Sequence, residues 1–366
     1  MTQNKGRCAD RVTSALRDPA AIVAWNESEW DCAVREARRA GLLARLGGLI
    51  ADHNLESCVP PRVLPHLEAA GILARKHGDD VARELRHIRT ALGAASHPVI
   101  LLKGASYVAA GLPAATGRLF GDIDILVPRA AIAGAETALT ASGWCGVKQD
   151  DYDQRYYRQW MHEIPPLQHR TRRTTIDVHH TIVPPTGRHA VDARRMIDWA
   201  IPAPNATGFL VLSPADMILH AAVHLFDDGE WTSGLRDLDD INRLLRHFAS
   251  RADFWSMLAA RAAQLRLGRP LYYALRYAAM LLGAAVPQDL LAGAGLQPPP
   301  ALALRWMDWV FVRALRPAHA NCALPGTRFA LFFLYVRAHR LRMPLRLLLP
   351  HLLRKAVVKR LKSATA

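Results

Sequence analysis

Between Leu119 and Val127 the segment LFGDIDILV carries two carboxylates, Asp122 and Asp124, one residue apart in a run that is otherwise apolar and β-branched. Alternate residues of a strand point to the same face, so both acids emerge side by side, roughly 6 to 7 Å apart at their Cα atoms. Like charges at that range raise one another's pKa unless a cation neutralises them. Mg²⁺ does so, and it is usually held by one or two carboxylates together with substrate phosphates. A third acid, Asp177 in TTIDVHHTI, lies between Ile176 and Val178 on a predicted strand, where it shares a face with His179. The D-x-D spacing alone also suits a surface strand with alternating polar residues. Leu119, Phe120, Ile123, Ile125, Leu126 and Val127 point instead to a buried strand, where unpaired acids are costly, and this favours a metal site at Asp122, Asp124 and Asp177.

Upstream, PVILLKGAS reads as a short buried strand entering a turn. Gly104 permits close approach of a ligand to the backbone, and the amides that open the next helix could donate to phosphate. Ser106 adds a hydroxyl, and Lys103 adds a point charge in a chain where lysines are few. An ordinary strand-to-helix turn explains this stretch at least as well, and the P-loop spacing is absent.

The elements that must position these residues follow from periodicity. Apolar positions recur at three- and four-residue spacing from Trp30 to Ile50 and, after Pro60 and Pro61, from Val63 to Ala95, which predicts a helical segment over 1–95. The order then becomes strand, helix, strand, helix, strand, strand, a compact α/β unit over 96–205. RAAIAGAETALTASGW is its second helix, ending at Gly143, and the β-formers of RYYRQWMHEIPPLQH and TTIDVHHTIV predict a hairpin around the basic link RTRRT. Helical patterning resumes over 206–315, with Ser213 as N-cap and Pro214 at the first helical position. In that segment His220 and His224 are one turn apart and share a face suited to a transition metal. Without an H-E-x-x-H context, a helical partner whose polar face closes the cleft is the favoured reading. Asp237 and Asp240 suit pairing with arginines better than catalysis.

The formal charge of +15 is confined largely to one place. Residues 301–366 hold 13 basic residues against a single acid, Asp308, and arginine dominates throughout. The predicted basic amphipathic tail, 316–366, suits packing on the protein first, an anionic membrane surface second, and nucleic acid third. Cys8, Cys32, Cys58, Cys145 and Cys322 are scattered without a C-x-x-C pair, so reduced thiols and a cytoplasmic location are expected.

In order along the chain, PVILLKGAS, GRLFGDIDILV and TIDVHH resemble the motifs of a nucleotidyltransferase family in the polymerase-β-like superfamily. That family carries L-K-G, then R-x-x-G-D-[IL]-D-[IL]-L-V, then [ED]-[LV]-H-W. Arg118, Gly121, Asp122 and Asp124 match the central motif, and Asp177 with His179 matches the third. The likeness extends over about residues 29 to 250. His180 stands where the family usually has Trp, and Gly104-Ala105-Ser106 replaces the Gly-Ser of the wider superfamily, with a longer gap to the acids.

The resemblance implies an α+β fold, a mixed-sheet core between helical segments. It implies transfer of a nucleoside monophosphate from a nucleoside triphosphate to an acceptor hydroxyl, dependent on Mg²⁺ or on Mn²⁺ in its place. Asp122, Asp124 and Asp177 would hold the metal, and Lys103, Gly104, Ser106, Arg118 and Gly121 would meet the nucleotide. His179 would orient Asp177 or contact substrate. Alternatives are nucleotide addition to an RNA end, γ-phosphoryl transfer, or a catalytically silent binding protein at the inner membrane surface, touching it through 328–362. The acceptor is a small molecule, a peptide or another hydroxyl compound.

Overall fold

The β-branched runs pair into one mixed sheet, and its centre is the pair of strands that carry the acids. The computed structural model describes residues 10–93, 97–147, 150–189, 191–344 and 346–348. The strands are β1 (Ile100–Leu101), β2 (Asp122–Leu126), β3 (Trp144–Gly146), β4 (Leu167–His169), β5 (Thr175–His179), β6 (Ile201–Pro202) and β7 (Leu210–Val211). Their order across the sheet is β3-β4-β5-β2-β1-β7-β6. β2 runs parallel to β5 and antiparallel to β1, and β1 runs parallel to β7. The fold is therefore α+β, with helices flanking a mixed sheet, as the motifs imply.

One face of β2 and β5 is apolar: Ile123, Ile125, Val127, Ile176 and Val178 are buried in the core. Burial of that face sets the register, because a slip of one residue would turn all five outward. The acids are thereby forced onto the other face. Helices before and after the sheet share its core, which runs continuously from Val12 to Leu334 among the described residues. The longest, Leu64–Leu92, spans 29 residues and packs on the helices Leu43–Asp52, Lys103–Ala109 and Ile132–Ala141. Arg172, in the link between β4 and β5, clamps the buried Glu84 of that helix with both its Nε and Nη2 atoms.

Several expectations hold. Ser213 caps the helix Pro214–Asp227 by accepting from the Asp216 amide at 3.3 Å. The helix before β3 stops at Ala141, and Gly143 turns the chain at φ +98°. β4 and β5 do form an antiparallel hairpin, with Gln168 opposite Thr175. Two details need correction. Residues 155–160, the start of the first expected hairpin strand, are instead the end of a helix, Asp151–Trp160: Asp150 accepts from the Tyr152 amide, and Tyr152, Tyr156 and Trp160, four residues apart, set their rings edge to face along one side. Local capping and the i, i+4 aromatic contacts override the strand preference of these residue types. The acidic strand also begins at Asp122 rather than Leu119, because the chain ahead of it turns the Phe120 ring back against Gly104. The short strands β3, β6 and β7 were not foreseen, and β7 carries the sheet to Val211.

Candidate active site

In the parallel register Asp124 stands opposite Asp177, and His179 opposite Leu126. Asp122, Asp124, Asp177 and His179 consequently project from one face, and each of the three acids has a carboxylate oxygen within 4.8 Å of the others. Their burial is graded, from the exposed Asp122 through the half-buried Asp177 to Asp124, which is 2% exposed.

Asp124 is the anchor. Its Oδ1 accepts from Lys103 Nζ at 2.8 Å and lies 3.0 Å from His179 Nε2. Burial would push this carboxyl up, but the Lys103 and His179 cations outweigh it and hold it well below the usual carboxylate range. The same balance acts on the partners. Burial alone would lower Lys103 and His179, yet Asp124 keeps both above their ordinary values. Lys103 reaches this position from a left-handed backbone, φ +44°, at the junction of β1 and the next helix. Such a conformation is uncommon for a residue with a side chain and clusters at functional sites.

Asp177 is the exception in this group. Burial first, then the charges of Glu163 and Asp124, push its carboxyl up to about 7. Its Oδ1 is buried and has no hydrogen-bond partner among the described residues. An unpaired carboxylate oxygen facing two further carboxylates is a position where a divalent cation removes the repulsion and supplies the missing partner. The donor set, all hard oxygens, fits Mg²⁺ or Mn²⁺.

Sequence reasoning missed Glu163 and His162. Glu163 bridges to the backbone of β5 at His179, and its Oε2 lies 3.3 Å from His179 Nε2. His162 stacks at a tilt 5.1 Å from the His179 ring, and burial followed by the His179 charge keeps it well below its ordinary value, hence neutral. The only available signal was the dipeptide His162-Glu163 before two prolines, too common a feature to single out. Asp228 follows the same pattern of an acid that its sequence context does not single out. It caps the helix Pro214–Asp227, lies 2.9 Å from Arg342 Nη2, and is close enough to Lys103 to help keep that ammonium charged. His220 and His224 lie on the same helix, both held neutral by burial and by Lys103; His224 is 3.6 Å from Asp228. Neither joins a cluster of three metal-ligating side chains among the described residues.

The other residues expected to meet the nucleotide have the following surroundings. Arg118 bonds to Asp240 and lies 3.7 Å from Asp237, both on the helix Gly234–Phe248, so it ties the sheet to that helix. Asp240 is shared with Arg45, whose other arm reaches Asp239 at 2.8 Å. Arg45, fully buried, had no signal in its sequence context. Ser106 donates to the Lys103 carbonyl at 2.7 Å and so braces the left-handed turn. Gly121 has open space where a Cβ would stand, beside the exposed Asp122. Gly104 is crowded by protein: a Cβ there would lie 2.7 Å from the Phe120 ring and 3.1 Å from Arg118 Nε. Gly104→Ala is expected to displace that ring and lower stability by about 1–3 kcal/mol. Thermal denaturation checks this, and a melting point equal to wild type would show that the ring moves aside freely.

The family model described as an uncharacterised nucleotidyltransferase matches residues 26–283 of the chain. Comparison with the curated proteins and with the solved structures found no match.

Proposed function

Because the chain belongs to the uncharacterised nucleotidyltransferase family, we propose that it moves a nucleoside monophosphate from a nucleoside triphosphate to an acceptor hydroxyl, with Mg²⁺ held by Asp122, Asp124 and Asp177. The observation that carries this reading is the convergence of three carboxylates within 4.8 Å on one face of two parallel strands, with an oxygen of Asp177 left unpaired. Bound there, the ion would offset the charge of the triphosphate and favour in-line displacement.

The residues divide the work. Asp177 would hold the ion nearer the acceptor and stand as the carboxylate placed to help take the proton of the acceptor hydroxyl. The acceptor oxygen bonds to the α-phosphorus, the bond from that phosphorus to the α–β bridging oxygen breaks, and pyrophosphate leaves with the electron pair. Lys103, whose side chain is 22% exposed, keeps contact with solvent and would add positive charge where the leaving group develops negative charge. His179 is a positioning residue: its Nε2 lies 3.0 Å from Asp124 Oδ1 and 3.3 Å from Glu163 Oε2, so one ring nitrogen draws the two carboxylates together. Ser106 braces the turn that presents Lys103, Gly104 lets Phe120 and Arg118 pack close against that turn, and Gly121 leaves room beside Asp122.

The test uses triphosphates labelled at the α or γ position, with Mg²⁺, candidate acceptors and cell extract. Label is expected to reach the acceptor from the α position only. Transfer from γ would replace this reading with a kinase, and transfer from neither position would reject catalysis.

A further inference from the structure

The helix Thr327–Arg342 has two apolar sides. Ala330, Leu334 and Ala338, at four-residue spacing, are buried against the body. Arg337 and Arg342 fasten the same helix to the end of the helix Pro214–Asp227, through the Phe226 carbonyl and through Asp227 and Asp228 at 3.5 and 2.9 Å. On the opposite side Phe329, Phe332 and Val336 remain 56%, 63% and 40% exposed. The neighbouring helix, Ala301–Ala314, extends this side with Leu302, 81% exposed, and Trp306, whose ring lies 6.1 Å from Phe329 and 5.4 Å from Phe333. A surface helix ordinarily buries one apolar stripe and wets the rest. Here a second stripe, rich in large side chains, faces outward.

Its rim is basic. Arg305, Arg328 and Arg340 are exposed around it, and Asp308, the one acid between 301 and 366, is tied to Arg276 at 2.7 Å. No described helix is long and apolar enough to cross a membrane, so contact with lipid would lie in the plane of the surface. We propose that this patch docks the protein on bilayers containing anionic lipid, with Phe329, Phe332, Trp306 and Leu302 entering the headgroup boundary and the arginines meeting the phosphates. A second copy fits less well, since each would bring the same excess of positive charge. Nucleic acid fits less well too, since Leu302 and Val336 offer neither a stacking face nor a phosphate contact. The proposal is independent of the reading of the carboxylate cleft. The chain beyond 348, which holds the rest of the expected membrane segment, lies outside the described residues.

The test is sedimentation of the full-length protein with vesicles of phosphatidylcholine alone or mixed with phosphatidylglycerol. Binding is expected to the mixed vesicles, weakly or not to the neutral ones, and to decline with salt. Phe329→Ser, Phe332→Ser and Val336→Ser combined are expected to reduce it about tenfold or more. Arg328→Glu with Arg340→Glu is expected to reduce it by a similar factor. All five side chains are exposed, and unchanged melting temperatures would confirm that the variants fold. Four outcomes would overturn the proposal: no binding to mixed vesicles, equal binding to both vesicle types, undiminished binding by the serine variant, or a dimer or RNA complex that the serine variant loses while no vesicle binding is seen.

Discussion

Asp124→Asn is expected to abolish nucleotidyl transfer and to destabilise the fold as well. The activity loss should be on the order of 10³-fold, comparable with removing a charge-stabilising group from an enclosed site. The stability loss has a separate origin. In the wild type one carboxylate oxygen serves two buried cations, Lys103 and His179. An amide removes the counter-charge they share, leaving His179 to Glu163 and Lys103 to the lesser influence of Asp228 and Asp122, and breaking a buried ion pair from one side typically costs about 3–5 kcal/mol. The pH dependence has a definite sign. Asp124 is depressed below its ordinary 3.8, so its contribution is complete above about pH 4 and fades as acid protonates it. The gap between variant and wild type in urea denaturation should therefore be widest near neutrality and narrow below pH 4. A variant that keeps both full activity and full stability would remove Asp124 from the site.

Asp177→Asn separates chemistry from stability. Activity should fall by about 10²–10³-fold, since the variant loses both a metal-binding oxygen and the group placed to take the acceptor proton. Without divalent ions, however, the variant should be the more stable protein. Asp177 is raised from 3.8 to about 7 by burial and by Glu163 and Asp124, so its ionisation opposes folding. The native state holds the proton more tightly than the unfolded chain. The penalty is absent below about pH 4, grows between pH 4 and 7, and is constant above. At neutral pH it should amount to roughly 2–4 kcal/mol, the linkage equivalent of that displacement reduced for partial exposure. Mg²⁺ should raise the melting temperature of the wild type and leave that of the variant nearly unchanged. A variant that is less stable than wild type in the metal-free state would show that Asp177 is paired rather than waiting for a cation.

These two positions also differ in how much of their role lies in the sequence. Asp122, Asp124 and Asp177 were legible because strand periodicity is strict: alternate residues share a face, and an acid within a β-branched run contradicts burial unless something binds it. Ser213 and Gly143 were legible for an equally local reason, the geometry required at a helix end. The helix Asp151–Trp160 was not, because its aromatic residues favour strands in general, while the Asp150 cap and the contacts of Tyr152 and Tyr156 with Trp160 favour the helix.

The sequence by itself determined the helical flanks, the acidic face and the two strands that bear it, because each depends on spacing along the chain. The tertiary structure alone decided that Asp124 and Asp177 stand opposite each other, that Lys103 and His179 share one oxygen of Asp124, and that Glu163 joins them. It also turned Arg118 toward Asp240 and brought Arg45 to meet it. These pairings join residues tens to nearly two hundred positions apart. Whether two charges so far apart meet depends on which strands and helices pack side by side, and for the paired strands burial of the opposite, apolar face sets the register.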